Sequence, residues 1–178
     1  MKIQDLLYII AKEFKQREDY YLGRTKLIKL AYLSEIFYKR LFNKRLTHSN
    51  WVFWKYGPYL MDYPTILNSA AFFKSEEDDF KPIKINYDYR CSAPNLDEKC
   101  AINRTMEFAE TDLNELLDFI YFDTEPMVNT TSRGESLDFN CVKPEEAYKI
   151  KEYHITKEMG NRIDEKIKEW KKKRIESQ

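Results

Sequence analysis

Two histidines, three cysteines and one close pair of carboxylates are the residues of this 178-residue chain best suited to chemistry. His48 stands among Thr47, Ser49 and Asn50, which offer hydroxyls beside a base. Nucleophilic catalysis needs a Ser or Cys held against a base that a third group orients. Nothing in the sequence indicates such a geometry, and polar residues of these types gather in turns. His48 therefore reads as a loop histidine, and His154, in a charged stretch, reads the same way. Asp123 and Glu125 could share acid–base work. Their plainer role is local hydrogen bonding, or an ion pair with Arg133. No catalytic set is expected, and the chain does not read as an enzyme.

Cofactor and metal chemistry fare no better. Cys91, Cys100 and Cys141 are far apart, with no Cys-x-x-Cys and no histidine pair at helical spacing, so a zinc site is not expected. A Cys91–Cys100 disulfide is conceivable, although free thiols suit a reducing compartment. Gly23, Gly57, Gly134 and Gly160 are the only glycines. A phosphate-cradling loop needs several together, which excludes a P-loop and a dinucleotide fingerprint.

The elements that would position any site are mostly helical. Ile3, Leu6, Leu7, Ile10 and Phe14 recur at three and four residues, marking an amphipathic first helix rather than a signal peptide. A second helix is predicted from about Lys26 to Asn43, with Thr25 as its cap, an apolar stripe from Leu27 to Leu41, and Lys26 and Lys29 beginning a polar flank. Asp62-Tyr63-Pro64 opens a helix running through Ile66, Leu67, Ala70 and Phe73. Ser75 to Asp79 reads as a solvated acidic loop. Residues 82–90 alternate as a strand would, whereas Cys91 to Arg104 shows no clear period. Thr111 can cap a helix carrying Leu113, Leu116, Leu117, Ile120 and Tyr121. Pro144 suits a short helix containing Ala147 and Ile150. A last, basic helix is expected at about 156–175, capped by Thr156. Its residues 162–174 hold seven basic side chains against three acidic ones. That run could contact nucleic acid or an anionic membrane surface, but it reads first as a solvated helix end whose cations complement the dipole.

Residues 51–59, Trp-Val-Phe-Trp-Lys-Tyr-Gly-Pro-Tyr, hold five aromatic rings in nine positions. The first four suit a short strand; Gly57 and Pro58 are turn residues that should stop it. Strand parity sends Trp51 and Phe53 to one face and Trp54 and Tyr56 to the other. With Trp51 and Phe53 in the core, Trp54 and Tyr56 face solvent, a covering helix or a partner.

Gross composition is that of an ordinary globular domain. Thirty basic residues balance thirty acidic ones, which weakens a nucleic-acid-binding role. Hydrophobic content is 43%, and a chain of this length buries roughly 70% of its unfolded surface in one domain. No stretch is apolar enough to span a bilayer, so a cytoplasmic protein is expected. The fold class read from these patterns is α+β: one predominantly helical domain over residues 1–178 with a small antiparallel sheet.

Two segments together resemble a known signature. Thr-Lys-Leu-Ile-Lys-Leu-Ala-Tyr-Leu (25–33), followed by Val-Phe-Trp-Lys-Tyr-Gly-Pro-Tyr (52–59), is similar to the Panacea domain, the family of SocA-like antitoxins. Phe-Asp-Thr-Glu-Pro-Met (122–127) and Arg-Gly-Glu-Ser-Leu-Asp-Phe (133–139) resemble later segments of some members, some of them phage-associated. The resemblance spans about residues 1–139, although 74–110 matches nothing in that pattern. It implies a protein-binding antitoxin that neutralises a cognate toxin by direct contact, or an adaptor that delivers the toxin to a protease. Lys26, Lys29, Tyr32, Trp54, Tyr56, Gly57, Pro58 and Tyr59 carry over as motif positions and partner-binding candidates. No separate DNA-binding domain precedes the motif, so transcriptional autoregulation is not expected. The alternatives are a nucleic-acid-binding regulator using the basic last helix and a small hydrolase or transferase using His48 or Asp123/Glu125.

Overall fold

A helix that is buried on every side fixes the architecture. In the computed structural model, which describes residues 1–73 and 82–145, every residue from Leu27 to Phe37 is buried. All-round burial marks a central helix. This is α2 (Arg24–Phe42), contacted by α1 (Ile3–Arg17), α4 (Leu96–Met106), α5 (Leu113–Asp123) and the strand β2 (Gly57–Leu60). The remaining elements are β1 (Trp51–Trp54), the five-residue α3 (Tyr63–Leu67), the short α6 (Glu125–Val128) and a 3-10 turn at Phe139–Cys141. The α+β class is confirmed: helices dominate, and β1 and β2 form a two-stranded antiparallel sheet. Among the described residues no helix is long and apolar enough to cross a membrane.

Burying polar groups costs free energy unless each is hydrogen-bonded. Four polar side chains on α2 meet this condition by each holding a different part of the fold. Lys29 Nζ donates to the Pro58 carbonyl in β2 at 2.8 Å. Tyr32 Oη lies 3.1 Å from Thr124 Oγ1, at the junction of α5 and α6. Ser34 Oγ lies 2.9 Å from Thr105 Oγ1 in α4. Glu35 accepts the backbone N–H groups of Leu46 and Thr47, each at 3.1 Å, and the Thr47 hydroxyl. Arg45 completes the carboxylate's surroundings at 3.3 Å. The pattern makes α2 a post to which sheet, helices and loop are all tied.

Helix boundaries depart from the sequence reading in instructive ways. α2 begins at Arg24 with Gly23 as N-cap and no side-chain cap, so Thr25 lies inside the helix. Its C-cap, Asn43, adopts the left-handed conformation that asparagine tolerates. α3 ends at Leu67, short of the predicted Phe73. Residues 82–90 form no strand. Ile83 and Ile85 are buried, but their backbone is tied only by isolated bridges, Gly23 to Pro82 and Phe72 to Ile85. The period of two thus reports inward anchoring without a partner strand.

α4 is invisible in the periodicity, because Leu96 at its start is exposed and only Ala101, Ile102, Thr105 and Met106 are buried. Its local signal is a capping box: Asn95 accepts from the Glu98 N–H at 2.9 Å, and Glu98 accepts from the Asn95 N–H at 2.8 Å. α5 is capped by Asp112, one residue after the expected Thr111. The three cysteines are free, with no disulfide between Cys91 and Cys100. The acidic run, His154, the helix after Pro144 and the basic helix at 156–175 lie largely or wholly outside the described residues.

Candidate functional site

The aromatic segment is a hairpin. β1 pairs with β2 in the register Trp51–Leu60, Val52–Tyr59, Phe53–Pro58 and Trp54–Gly57. The expectation that Gly57-Pro58 ends the strand is therefore corrected: the chain turns at Lys55-Tyr56, and Gly57 and Pro58 begin β2. Neither Lys55 nor Tyr56 has a positive φ, so the mirror-image hairpin turns are excluded. Gly57, at φ +89°, provides the left-handed residue that lets an ordinary turn feed an antiparallel pair. Pro58 is tolerated because β2 is an edge strand, where a missing N–H breaks no further ladder.

The opposite edge of β1 is covered. Phe53 N–H donates to Glu135 O at 2.9 Å, Gly134 N–H to Phe53 O at 2.7 Å, and Leu137 N–H to Trp51 O at 2.8 Å. Beneath the hairpin, the Trp51 ring meets Tyr32 edge-on, with centroids 5.4 Å apart, and Phe53 meets Tyr121 at 6.1 Å. A Cβ on Gly57 would stand 3.5 Å from the Tyr121 ring. The hairpin is thus clamped at its base and along one edge.

Parity divides the rings as the alternation requires. Trp51 is buried and Phe53 half-buried, whereas Trp54 is 43% and Tyr56 50% exposed. These two rings stand beside a cleft of about 140 Å³ between the hairpin and the first turns of α2. Arg24 and Lys29 from α2, Lys55 from the turn, Tyr59 from β2 and Tyr63 from α3 also line it. Tyr59 packs edge-on to Tyr63, centroids 5.9 Å apart, and Lys55 Nζ lies 5.0 Å from the Tyr56 ring centroid. Burial lowers the Lys29 amine from its ordinary value to about 7, and no charged neighbour contributes to the shift. No acidic side chain among the described residues lines the cleft.

Searches of protein families, of curated proteins and of solved structures found no match.

The eight motif positions separate into two physical groups. Trp54 and Tyr56 present free surface. Tyr32 is fully buried between Trp51 and Phe139, and burial raises its hydroxyl well above the usual range. It exposes no surface to a partner. Gly57 and Pro58 are buried and shape the turn. Lys29 is buried too, which corrects its assignment to a polar flank. Lys26 is half-buried, and its Nζ donates to Thr111 O at 2.8 Å, tying α2 to the loop before α5. Burial lowers its pKa, opposed by Asp112, Glu110 and Glu18. Tyr59 is half-buried at the cleft wall. Sequence reasoning missed Arg24 and Tyr63; Tyr63 Oη donates to Arg24 O at 2.7 Å.

The other candidates lie elsewhere. His48 is exposed on the loop after α2. Glu125 pairs with Arg40 at 2.9 Å, and the same guanidinium donates to Asp123 O at 2.5 Å. The expected partner Arg133 is replaced by a residue from the end of α2. Among the described residues no cluster of His, Cys, Asp or Glu could hold a metal ion.

Proposed function

We propose that the chain is an antitoxin-like protein-binding module of the cytoplasm, which neutralises a cognate toxin by direct contact or delivers it to a protease, without catalysis of its own. The observation that supports this reading is the pair of exposed rings, Trp54 and Tyr56, on a hairpin clamped from behind. Exposed Trp and Tyr on a rigid support bury large area at little entropic cost, which is how binding hot spots are built. The resemblance of 25–33 and 52–59 to the SocA-like antitoxins points the same way. Co-expression with the product of the neighbouring gene tests it. Co-purification and relief of that product's toxicity are expected; neither occurring would remove the antitoxin reading.

A further inference from the structure

The cleft beside the hairpin has a charge pattern that the two exposed rings alone do not explain. Arg24, Lys29 and Lys55 line it, and no described acid faces them. Arg24 and Lys29 are buried, at 8% and 2% exposure, and neither makes an ion pair with a described residue. Among the described residues Lys29 Nζ donates to the Pro58 carbonyl alone, whereas an ammonium carries three N–H donors. Leaving a buried cation without a counter-charge costs free energy, and an opposite charge arriving beside it recovers part of that cost. The volume, about 140 Å³, is several times the ~30 Å³ that a water molecule takes in the liquid. A carboxylate on a short stem fits such a space. The walls, Trp54, Tyr56 and Tyr59, are rings that can cover the stem.

We infer that this cleft is a receptor for a single glutamate or aspartate side chain of the protein partner, its carboxylate seated among Arg24, Lys29 and Lys55 and its stem between the Trp54 and Tyr56 rings. The inference rests on the partner-binding reading and names what that partner must present: an acidic residue projecting from its contact surface. It also gives the interaction a pH dependence. Lys29 must be charged to serve the carboxylate, and burial holds its amine near 7, so binding takes up a proton above that pH. The groups around it are Arg24 on α2, Lys55 and Tyr56 at the turn, Tyr59 on β2 and Tyr63 on α3, while Lys26 is engaged with Thr111 O. Burial brings the Lys29 amine to about 7, so this group gives the interaction its dependence around neutrality.

The test uses two blocked tripeptides, acetyl-Gly-Glu-Gly-amide and its Gln counterpart, titrated into the full chain and followed by amide and indole NMR shifts. The Glu peptide should move the Trp54 indole N–H and the Gly57 N–H saturably, and bind about tenfold more weakly at about pH 8 than at about pH 6. Lys55→Ala, a surface change that spares the core, should weaken it several-fold, and Lys29→Met should abolish the pH dependence. Equal binding of the Glu and Gln peptides would overturn the inference, as would an affinity that does not move between those pH values. The partner-binding reading fails separately. Capture of a partner that depends on Trp54 but ignores pH would sink the carboxylate cleft alone, whereas Glu-peptide binding as described would support the cleft even with no toxin neutralised.

Discussion

Lys29 Nζ donates to the Pro58 carbonyl at 2.8 Å, so a buried amine on the central helix fixes the edge strand of the aromatic hairpin. The two residues belong to the two sequence segments that carry the family resemblance. Their contact ties the lysine of the first segment to the backbone of the second. The proline has no N–H to offer a ladder, and its carbonyl is taken by the helix.

The protonation of Lys29 should be visible in stability. Its pKa is about 7 in the folded chain against an ordinary value of 10.5, so the unfolded state binds the extra proton between those values. Stability from this group therefore rises with pH across that window, with a slope approaching about 1.4 kcal/mol per unit, and is lowest below about pH 7. Urea unfolding of wild type and Lys29→Met at about pH 7 and pH 9 isolates this contribution. Wild type should gain on the variant as pH rises; parallel behaviour would mean that the amine titrates normally.

Glu35 is the second anchor. Its carboxylate accepts from Leu46 N–H, Thr47 N–H and the Thr47 hydroxyl while fully buried. Glu35→Gln keeps the shape but turns an NH₂ towards these donors. A loss of about 2–3 kcal/mol is expected in denaturant unfolding, the cost of leaving buried donors unpaired.

How far the sequence could be read follows from which forces are local. The stripes of α1 and α2 and the parity of Trp51 against Trp54 are properties of period, and they survive folding. β2 was illegible because Gly57-Pro58 looks like a terminator, and only an edge position with a carbonyl acceptor role makes it a strand. α4 hides its face because Leu96 is exposed, although the Asn95–Glu98 box was there to see. The burial of Lys29 could not be read at all. A lysine is polar in any window, and what buries it is the hairpin about thirty residues later in the chain.

Gly57 should resist substitution for a reason of backbone rather than space. Its φ is +89°, and a Cβ would meet Tyr121 only at ordinary contact distance, 3.5 Å. Gly57→Ala should cost about 1–2 kcal/mol, and adding Tyr121→Leu should not recover it. Recovery would show that the ring, not the dihedral, sets the requirement.

The two strand tryptophans should behave oppositely. Trp51→Ala empties a buried site and should cost about 3–5 kcal/mol. Trp54→Ala, at 43% exposure, should stay within about 0.5 kcal/mol of wild type. Thermal or urea midpoints compare them directly.

That separation makes the decisive measurement possible. The doubly substituted Trp54→Ala, Tyr56→Ala chain should fold as wild type does, by unfolding midpoint and NMR dispersion, while losing co-purification with the neighbouring gene's product and rescue from its toxicity. A folded double variant that still captures and neutralises that product as well as wild type would contradict the assignment of the hairpin tip as the partner surface.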